Sequence, residues 1–188
     1  VISNYFNKIE ENNFPKKKLI YGNLIEKLRY GENPHQKSAI YSESKSLNIN
    51  QINGKQLSYN NYNDIFSALT ISKSLPKNTG TVIVKHTNPC GVSINKNNLK
   101  SYELALACDP VSAFGGIVSC NFRVNRALAL KLDKIFLEVI IANGFESKAL
   151  KILKKKKNLR IIDATKFIMK DILRFSSANE FILTRSEE

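Results

Sequence analysis

The sequence predicts an α/β domain in which a β-sheet is covered by helices on both of its faces. Three short apolar runs are too continuous for strands with one solvated face, namely Thr81–Val84, Ile117–Cys120 and Phe136–Ala142. Segments with helical spacing of their apolar residues lie before, between and after these runs. The chain has 188 residues, of which 43% are hydrophobic, so it can bury a core of this kind.

The first part of the chain predicts a strand, a hairpin turn and a helix. Ser38–Tyr41 is a candidate short strand, and the dipeptide Asn53–Gly54 between apolar residues favours a local hairpin. A helix is predicted before the first buried run, because four apolar residues share one helical face, namely Tyr62, Ile65, Phe66 and Leu69. Pro76 then ends this helix.

The second part predicts alternating helices and strands. A helix begins at Asn97 or Asn98 and ends before Asp109, which a proline follows. The alternation is typical of an α/β domain. The remaining elements are the strand Ile117–Cys120, the helix Asn125–Leu132, the strand Phe136–Ala142, the helix Ser147–Leu153 and the strand Leu159–Ile162.

The stretch Val82–Gly91 takes the chain from a buried strand into reactive residues. Lys85 and His86 follow the strand, where ligands bind in open α/β sheets, and Asn88–Gly91 predicts an immediate turn. A cation beside an imidazole favours its neutral form, which can act as a general base. A solvated lysine followed by a histidine that caps a turn explains the same dipeptide, so both interpretations remain open.

Two further segments are candidates for binding a ligand. Arg29 offers a fork of donors suited to a phosphate, and Gly31 allows a close approach of the backbone. Gly115 and Gly116 allow backbone amides to approach a ligand. The alternatives are an ordinary turn with a surface arginine and a glycine bulge at the start of a strand.

The net charge of +13 is the main feature in favour of a nucleic-acid partner, because Lys and Arg neutralise phosphates. The dense runs are Lys16–Lys18 and Lys154–Lys157, and no aromatic residue is interleaved with the second run, as stacking on single strands would require. We therefore interpret these runs as solvated surface and expect no nucleic-acid partner.

The cysteines and the hydropathy bound the environment of the chain. Cys90, Cys108 and Cys120 have no C-x-x-C spacing, which argues against a disulfide framework and a zinc ribbon and favours a reducing compartment, the cytoplasm. No segment approaches about 18 uninterrupted apolar residues, and no basic region precedes an apolar stretch at the N-terminus. We therefore expect neither a membrane partner nor a signal peptide.

Four longer motifs carry a resemblance to a known enzyme family. In chain order they are Leu28–Gln36, Gly54–Asn61, Val84–Gly91 and Asp109–Gly116. Together they resemble the bifunctional purine biosynthesis family, whose members combine phosphoribosylaminoimidazolecarboxamide (AICAR) formyltransferase and inosine monophosphate (IMP) cyclohydrolase activities. The resemblance covers nearly the whole chain.

The resemblance implies a cytidine-deaminase-like, three-layer α/β/α fold, two copies of which make one formyltransferase unit. Residues 1–14 would be the tail of the preceding cyclohydrolase domain or a linker, and residues 15–188 the N-terminal half of the formyltransferase domain, with the second half missing. The implied partners are that second half and another copy of the protein in a homodimer.

The reaction implied by the resemblance moves a formyl group from 10-formyltetrahydrofolate to the 5-amino group of AICAR. The product, FAICAR, is then cyclised to IMP by the parent protein. His86 would accept the proton of the 5-amino group, and Lys85 would stabilise charge developing on the formyl group. This agrees with the roles of base and cation that their position suggests.

The resemblance also implies substrate-binding residues. Arg29 and Tyr30 would hold AICAR, with Arg29 at its phosphate, and Gly115 and Glu138 would line the same pocket. Glu138 stands where some members have Asp, and Asn143 stands where the family usually has Pro. The Asn, Phe and Arg that the second half contributes have no counterpart in this chain.

There are three alternatives to formyl transfer: a zinc deaminase, an inactive fragment and a nucleic-acid-binding module. A zinc deaminase needs an H-x-E and a P-C-x-x-C arrangement, but Thr87 and Asn88 follow His86, and Cys90 has no second Cys at that spacing, so we expect no metal. The remaining alternatives are a catalytically inactive fragment that only folds and associates and, more distantly, a basic nucleic-acid-binding module.

Overall fold

The computed structural model describes residues 16, 21–44, 46–169, 174–178 and 181–185. Its strands are β1 Asn23–Leu28, β2 Ser38–Ser42, β3 Asn50–Asn53, β4 Gly80–Lys85, β5 Asn88–Ile94, β6 Ile117–Cys120, β7 Val139–Ala142, β8 Arg160–Asp163, β9 Arg174–Ala178 and β10 Phe181–Arg185. Its helices are α1 Tyr59–Ser74, α2 Asn98–Cys108, α3 Arg126–Leu132 and α4 Ser147–Leu153. The segment 1–14, expected to be a tail or linker, lies outside the described residues.

A six-stranded mixed sheet forms the centre of the domain, with the strand order β3-β8-β7-β6-β4-β5. Strands β6, β7 and β8 are parallel, whereas β4 is antiparallel to both β6 and β5, and β3 is antiparallel to β8. The pairs β1-β2 and β9-β10 form separate two-stranded antiparallel sheets.

The central sheet is covered by helices on both faces, as the apolar runs predict. Along β4, Val82 and Val84 pack into the cluster that contains Ile65 of α1, whereas Ile83 packs into the cluster on the opposite face with Tyr102 of α2. Helices α3 and α4 contribute to this second cluster. The predicted α/β domain is therefore confirmed.

Side-chain caps explain where three helices begin. The hydroxyl of Ser58 accepts from the backbone of Asn61 while the Asn61 side chain accepts from the backbone of Ser58, a reciprocal cap for α1. Asn97 caps α2 and Asn125 caps α3 in the usual way, with the side-chain oxygen accepting from the first turn. The predicted starts of α2 and α3 are confirmed.

Three local predictions are wrong. Asn53 and Gly54 do not join a hairpin, because β3 pairs with the distant strand β8 and the Asn53 side chain donates to the carbonyl of Leu159 at 2.7 Å. Asn88–Gly91 does not form the turn, because these residues belong to β5, which pairs with β4. Strand β7 begins at Val139 instead of Phe136.

Gly91 is expected to tolerate no larger residue, because α2 lies directly against β5 at this point. A Cβ at Gly91 would lie 2.0 Å from the carbonyl oxygen of Ala105. We expect Gly91→Ala to lower the free energy of unfolding, measured by urea denaturation, by about 1–3 kcal/mol.

Gly22→Ala is the matched control for this prediction, since it restricts the unfolded chain by the same amount. Its Cβ would lie 3.0 Å from the Cβ of Tyr41 and 3.2 Å from the backbone nitrogen of Ser42, so a shift of a few tenths of an ångström relieves both contacts. Equal midpoints for the two variants would show that α2 can move away from Gly91.

Candidate functional site

One edge of the central sheet collects the residues singled out in the sequence. Val84 pairs with Ile117, Ile117 with Val139, and Val139 with Arg160, so these four positions form one row across the sheet. The residues next to this row therefore lie at a common edge. Strands β4 and β3 present their carboxyl ends here, whereas β5, β6, β7 and β8 present their amino ends, so the rule used to place the crevice applies to only two of the six strands.

His86 lies in a two-residue turn between β4 and β5. Lys85 pairs with Asn88, and both His86 and Thr87 have positive φ angles, of 51° and 62°. Such turns normally contain Asn or Gly, because left-handed backbone conformations are unfavourable for residues with larger side chains. The catalytic candidate therefore lies in a strained backbone segment, which is common at functional sites.

Lys85 lies beside the loop that precedes β6. Its Nζ donates to the carbonyl oxygen of Phe114 at 3.0 Å, next to Gly115, whose φ is +74°. The rings of Phe114 and Phe136 lie 5.4 Å apart, and both side chains are more than half exposed. An ammonium group and an exposed aromatic pair are therefore adjacent on this edge.

Glu138 lies at the start of β7 between two side chains that the sequence analysis did not identify. Asn61 donates to its Oε2 at 3.0 Å, and an Nη of Arg160 lies 3.7 Å from the same oxygen. Glu138 is 45% exposed and Arg160 only 13%. Burial lowers the pKa of Arg160, while Glu138 opposes this effect and the charge of Arg29 adds to it.

Arg29 and Tyr30 follow β1 and reach the same region. The guanidinium carbon of Arg29 lies 5.5 Å from the centre of the Tyr30 ring. Both residues act electrostatically on the pKa of Arg160, which lies beside Glu138. Two arginines and one carboxylate thus lie near each other at the edge of the sheet.

Asp64 interacts both with the His86–Thr87 turn and with the carboxylate of Glu138. Burial raises the pKa of Asp64, the hydrogen bond from the Thr87 amide and the charge of His86 lower it, and the charge of Glu138 raises it. Asp64 is therefore within electrostatic reach of both His86 and Glu138. The predicted residues therefore form two groups. Lys85 lies beside Gly115 in the first group, and Arg29, Tyr30 and Glu138 form the second. Asp64 interacts electrostatically with His86 and with Glu138 of the second group.

A separate cavity of about 280 Å³ lies under β1 and contains none of the six predicted site residues. Its carboxylate, Glu26, accepts from the hydroxyl of Tyr62 at 3.1 Å and from the Gln56 amide at 2.7 Å. The polar group inside this cavity is therefore satisfied by the chain itself. The lining residues are Ile25, Glu26, Ser46, Leu47, Ile49, Gln51, Leu57 and Tyr62.

Three further features concern the described part of the chain only. Within it, no three or more His, Cys, Asp or Glu side chains are grouped so that they could hold a metal ion. In the same residues, every helix is too short or too polar to cross a membrane. All three cysteines are free thiols.

Comparison with known proteins identifies relatives over most of this sequence. The bifunctional purine biosynthesis protein PurH of Oceanobacillus iheyensis is 42% identical over 168 residues, that of Leptospira biflexa 45% over 167 and that of Thermoanaerobacter sp. 47% over 168. The alignments cover 87%, 88% and 86% of this chain but 33%, 32% and 32% of the relatives. The chain thus spans about a third of the length of the relatives it matches.

One solved structure, that of Acinetobacter baumannii RibD in form 1, is similar over 52% of this chain and 33% of the RibD chain. Its TM-score of 0.40 and sequence identity of 18% are too low to support a conclusion. The profile of one family, described as the AICARFT/IMPCHase bienzyme, matches residues 1–188. Because this match extends over the chain from its first to its last residue, the protein belongs to the AICARFT/IMPCHase bienzyme family.

Proposed function

We propose that this chain is part of an enzyme that transfers the formyl group of 10-formyltetrahydrofolate to the 5-amino group of AICAR. The product is FAICAR, which the cyclohydrolase activity of the parent protein converts to IMP in purine biosynthesis. Family membership supports this reaction. The observation that carries the assignment to this edge of the sheet is the adjacency of Lys85 and His86 at a strained turn.

The chemistry of AICAR explains why a base and a cation are needed. Its 5-amino group is conjugated with the imidazole ring and is a weak nucleophile. His86 accepts the proton as nitrogen attacks the formyl carbon, and the ammonium of Lys85 stabilises the negative charge that develops on the formyl oxygen. The bond between the formyl carbon and N10 of the co-substrate then breaks, and N10 takes up a proton as tetrahydrofolate leaves. The exposed position of His86 leaves it accessible to a substrate.

Substrate binding is assigned to the remaining residues of the edge. Arg29 binds the phosphate of AICAR through its planar guanidinium, and Tyr30 and Gly115 contact the nucleotide. Glu138 accepts hydrogen bonds from donor groups of AICAR. Its partial exposure supports this role, because Asn61 and Arg160 both lie at Oε2 and the carboxylate remains partly open to solvent.

The aromatic pair next to Lys85 suits the co-substrate. Phe114 and Phe136 are 58% and 54% exposed, and the carbonyl of Phe114 accepts from the Lys85 ammonium at 3.0 Å. A flat pterin ring can pack on such a surface and bring its formyl group to Lys85. This assignment concerns 10-formyltetrahydrofolate, and no metal takes part in the proposed reaction.

The architecture of the complete enzyme is part of the proposal. Helices on both faces of a mixed sheet are compatible with a cytidine-deaminase-like, three-layer domain. We assign residues 15–188 to the N-terminal half of the formyltransferase domain and residues 1–14 to the end of the cyclohydrolase domain or a linker. The second half of the domain and a homodimeric partner complete the site in the cytoplasm.

The proposed function is tested by measuring AICAR-dependent release of tetrahydrofolate. The enzyme for this assay is a chimera in which the chain replaces the aligned third of Oceanobacillus iheyensis PurH. We expect turnover from the chimera and none from the chain alone, since substrate positioning across both halves supplies much of the rate. A folded chimera without turnover, beside an active parent enzyme, would argue for the alternative of a catalytically inactive domain.

Arg29→Lys is expected to weaken AICAR binding by roughly 10-fold or more, because an ammonium cannot make the two parallel hydrogen bonds of a guanidinium. Titration calorimetry of the chimera with AICAR measures the effect. Lys27→Arg is the control, since Lys27 is exposed two residues earlier on β1. Equal affinities of wild type and Arg29→Lys would place the phosphate elsewhere.

A further inference from the structure

The turn that carries His86 is unfavourable by itself. Both of its residues adopt left-handed backbone conformations, and Thr87 is β-branched, the kind of residue for which such a conformation is least favourable. The turn residues are also exposed, so no burial of their side chains compensates for the strain. Other contacts must therefore hold the turn.

Helix α1 supplies contacts to both backbone groups of Thr87. The Thr87 amide donates to Oδ1 of Asp64 at 2.6 Å, and the hydroxyl of Ser67 donates to the carbonyl oxygen of Thr87 at 2.6 Å. The helix is itself fixed, because Ile65 and Leu69 are 0% and 1% exposed in the core. A rigid element outside the hairpin thus holds the turn at Thr87, while within the hairpin the Asn88 side chain donates to the carbonyl oxygen of His86 at 2.9 Å.

We propose that Asp64 is a positioning residue that holds the His86–Thr87 turn in its left-handed conformation through the hydrogen bond to the Thr87 amide. It thereby aims the imidazole of His86 at the substrate amine. This role rests on the proposed function of His86. Asp64 does not touch the reacting atoms, and its contribution is to keep the base in place.

The hydrogen bond and the charge of Asp64 are separable roles. His86 and Glu138 both interact electrostatically with Asp64, so its negative charge could affect the site directly. Asparagine keeps an oxygen that accepts from the Thr87 amide but removes the charge, whereas alanine removes both. Asp64→Asn should therefore retain the function that Asp64→Ala loses.

The first measurement is amide hydrogen exchange of Thr87 by NMR on the chain itself. Asp64→Ala should speed exchange by about 10-fold or more, and Asp64→Asn should stay within about 3-fold of wild type. Ser74→Ala is the matched control, since it removes a side-chain hydrogen bond to Ile71 at the far end of α1. Circular dichroism identifies any variant that fails to fold.

The second measurement is formyl transfer by the chimera. We expect kcat to fall by about 10–100-fold in Asp64→Ala, with a KM for AICAR within about 3-fold of wild type, and Asp64→Asn to restore most of kcat. An Asn variant as inactive as the Ala variant, or an Ala variant with normal exchange and kcat, would overturn the proposal. If the wild-type chimera is inactive, the proposed function fails and the exchange data alone decide whether Asp64 holds the turn.

Discussion

His86→Ala is expected to slow formyl transfer by about 10²–10⁴-fold in the chimera, because that is the usual effect of removing a general base. AICAR binding should remain measurable by calorimetry, since Arg29, assigned to the phosphate, and Glu138, assigned to donor groups of AICAR, are intact. The 5-amino group then has to lose its proton to water.

The left-handed backbone at His86 calls for a second variant. Alanine is unfavourable at a φ of 51°, so a loss of rate in His86→Ala could come from a displaced turn. Asparagine tolerates this conformation but is no base, and we expect His86→Asn to be as slow as His86→Ala. Lys77→Ala, at an exposed position in the turn before β4, serves as the control for a surface substitution at the opposite end of that strand. Normal turnover in His86→Asn would contradict the assignment of the base.

The core of the fold could be predicted from the sequence because its signal is local. Runs such as Thr81–Val84 are continuous and apolar, and each became a strand buried on both faces. Strand β5 was missed because Asn88, Pro89 and Gly91 are typical of turns. An edge strand, however, tolerates a proline near its start or at a bulge, and β5 is an edge strand whose register shifts between Pro89 and Gly91.

The turn at His86 and Thr87 could not be predicted, because the contacts that hold it are not local in the sequence. No local sequence pattern indicates positive φ angles at a histidine and a threonine. The side chains that bind the backbone of Thr87 come from α1, which precedes β4. Asp64 lies in the helix predicted before the first buried run, and no motif within that helix indicates a role for it. Its role depends on a contact across 23 positions.

The environment of Glu138 shows the same limit. The resemblance assigned Glu138 to the substrate pocket, but its neighbours Asn61 and Arg160 were missed. Asn61 donates to Glu138 across 77 positions, and Arg160 lies within the predicted strand Leu159–Ile162 without any motif of its own. Only the pairing of β7 with β8 brings Arg160 to this edge.

Lys85→Met is expected to lower formyl transfer by about 10²–10³-fold, the usual effect of losing one group that stabilises an oxyanion. Methionine keeps the length and apolar character of the side chain but removes the positive charge. Because the charge on the formyl oxygen develops only during the reaction, the loss should fall on kcat more than on the binding of AICAR. Steady-state kinetics of the chimera with both substrates separates the two effects.

A structural role of Lys85 predicts a different result for glutamine. In the resting site the ammonium donates to the carbonyl oxygen of Phe114, and it could serve only to hold the loop around Gly115. Lys85→Gln keeps a donor for that carbonyl without the charge. We expect Lys85→Gln to be nearly as slow as Lys85→Met, because a neutral amide stabilises an oxyanion less well than an ammonium. Recovery of most of kcat in Lys85→Gln would mean that Lys85 positions the loop, and the group that stabilises the formyl oxygen would then have to be sought elsewhere in the site.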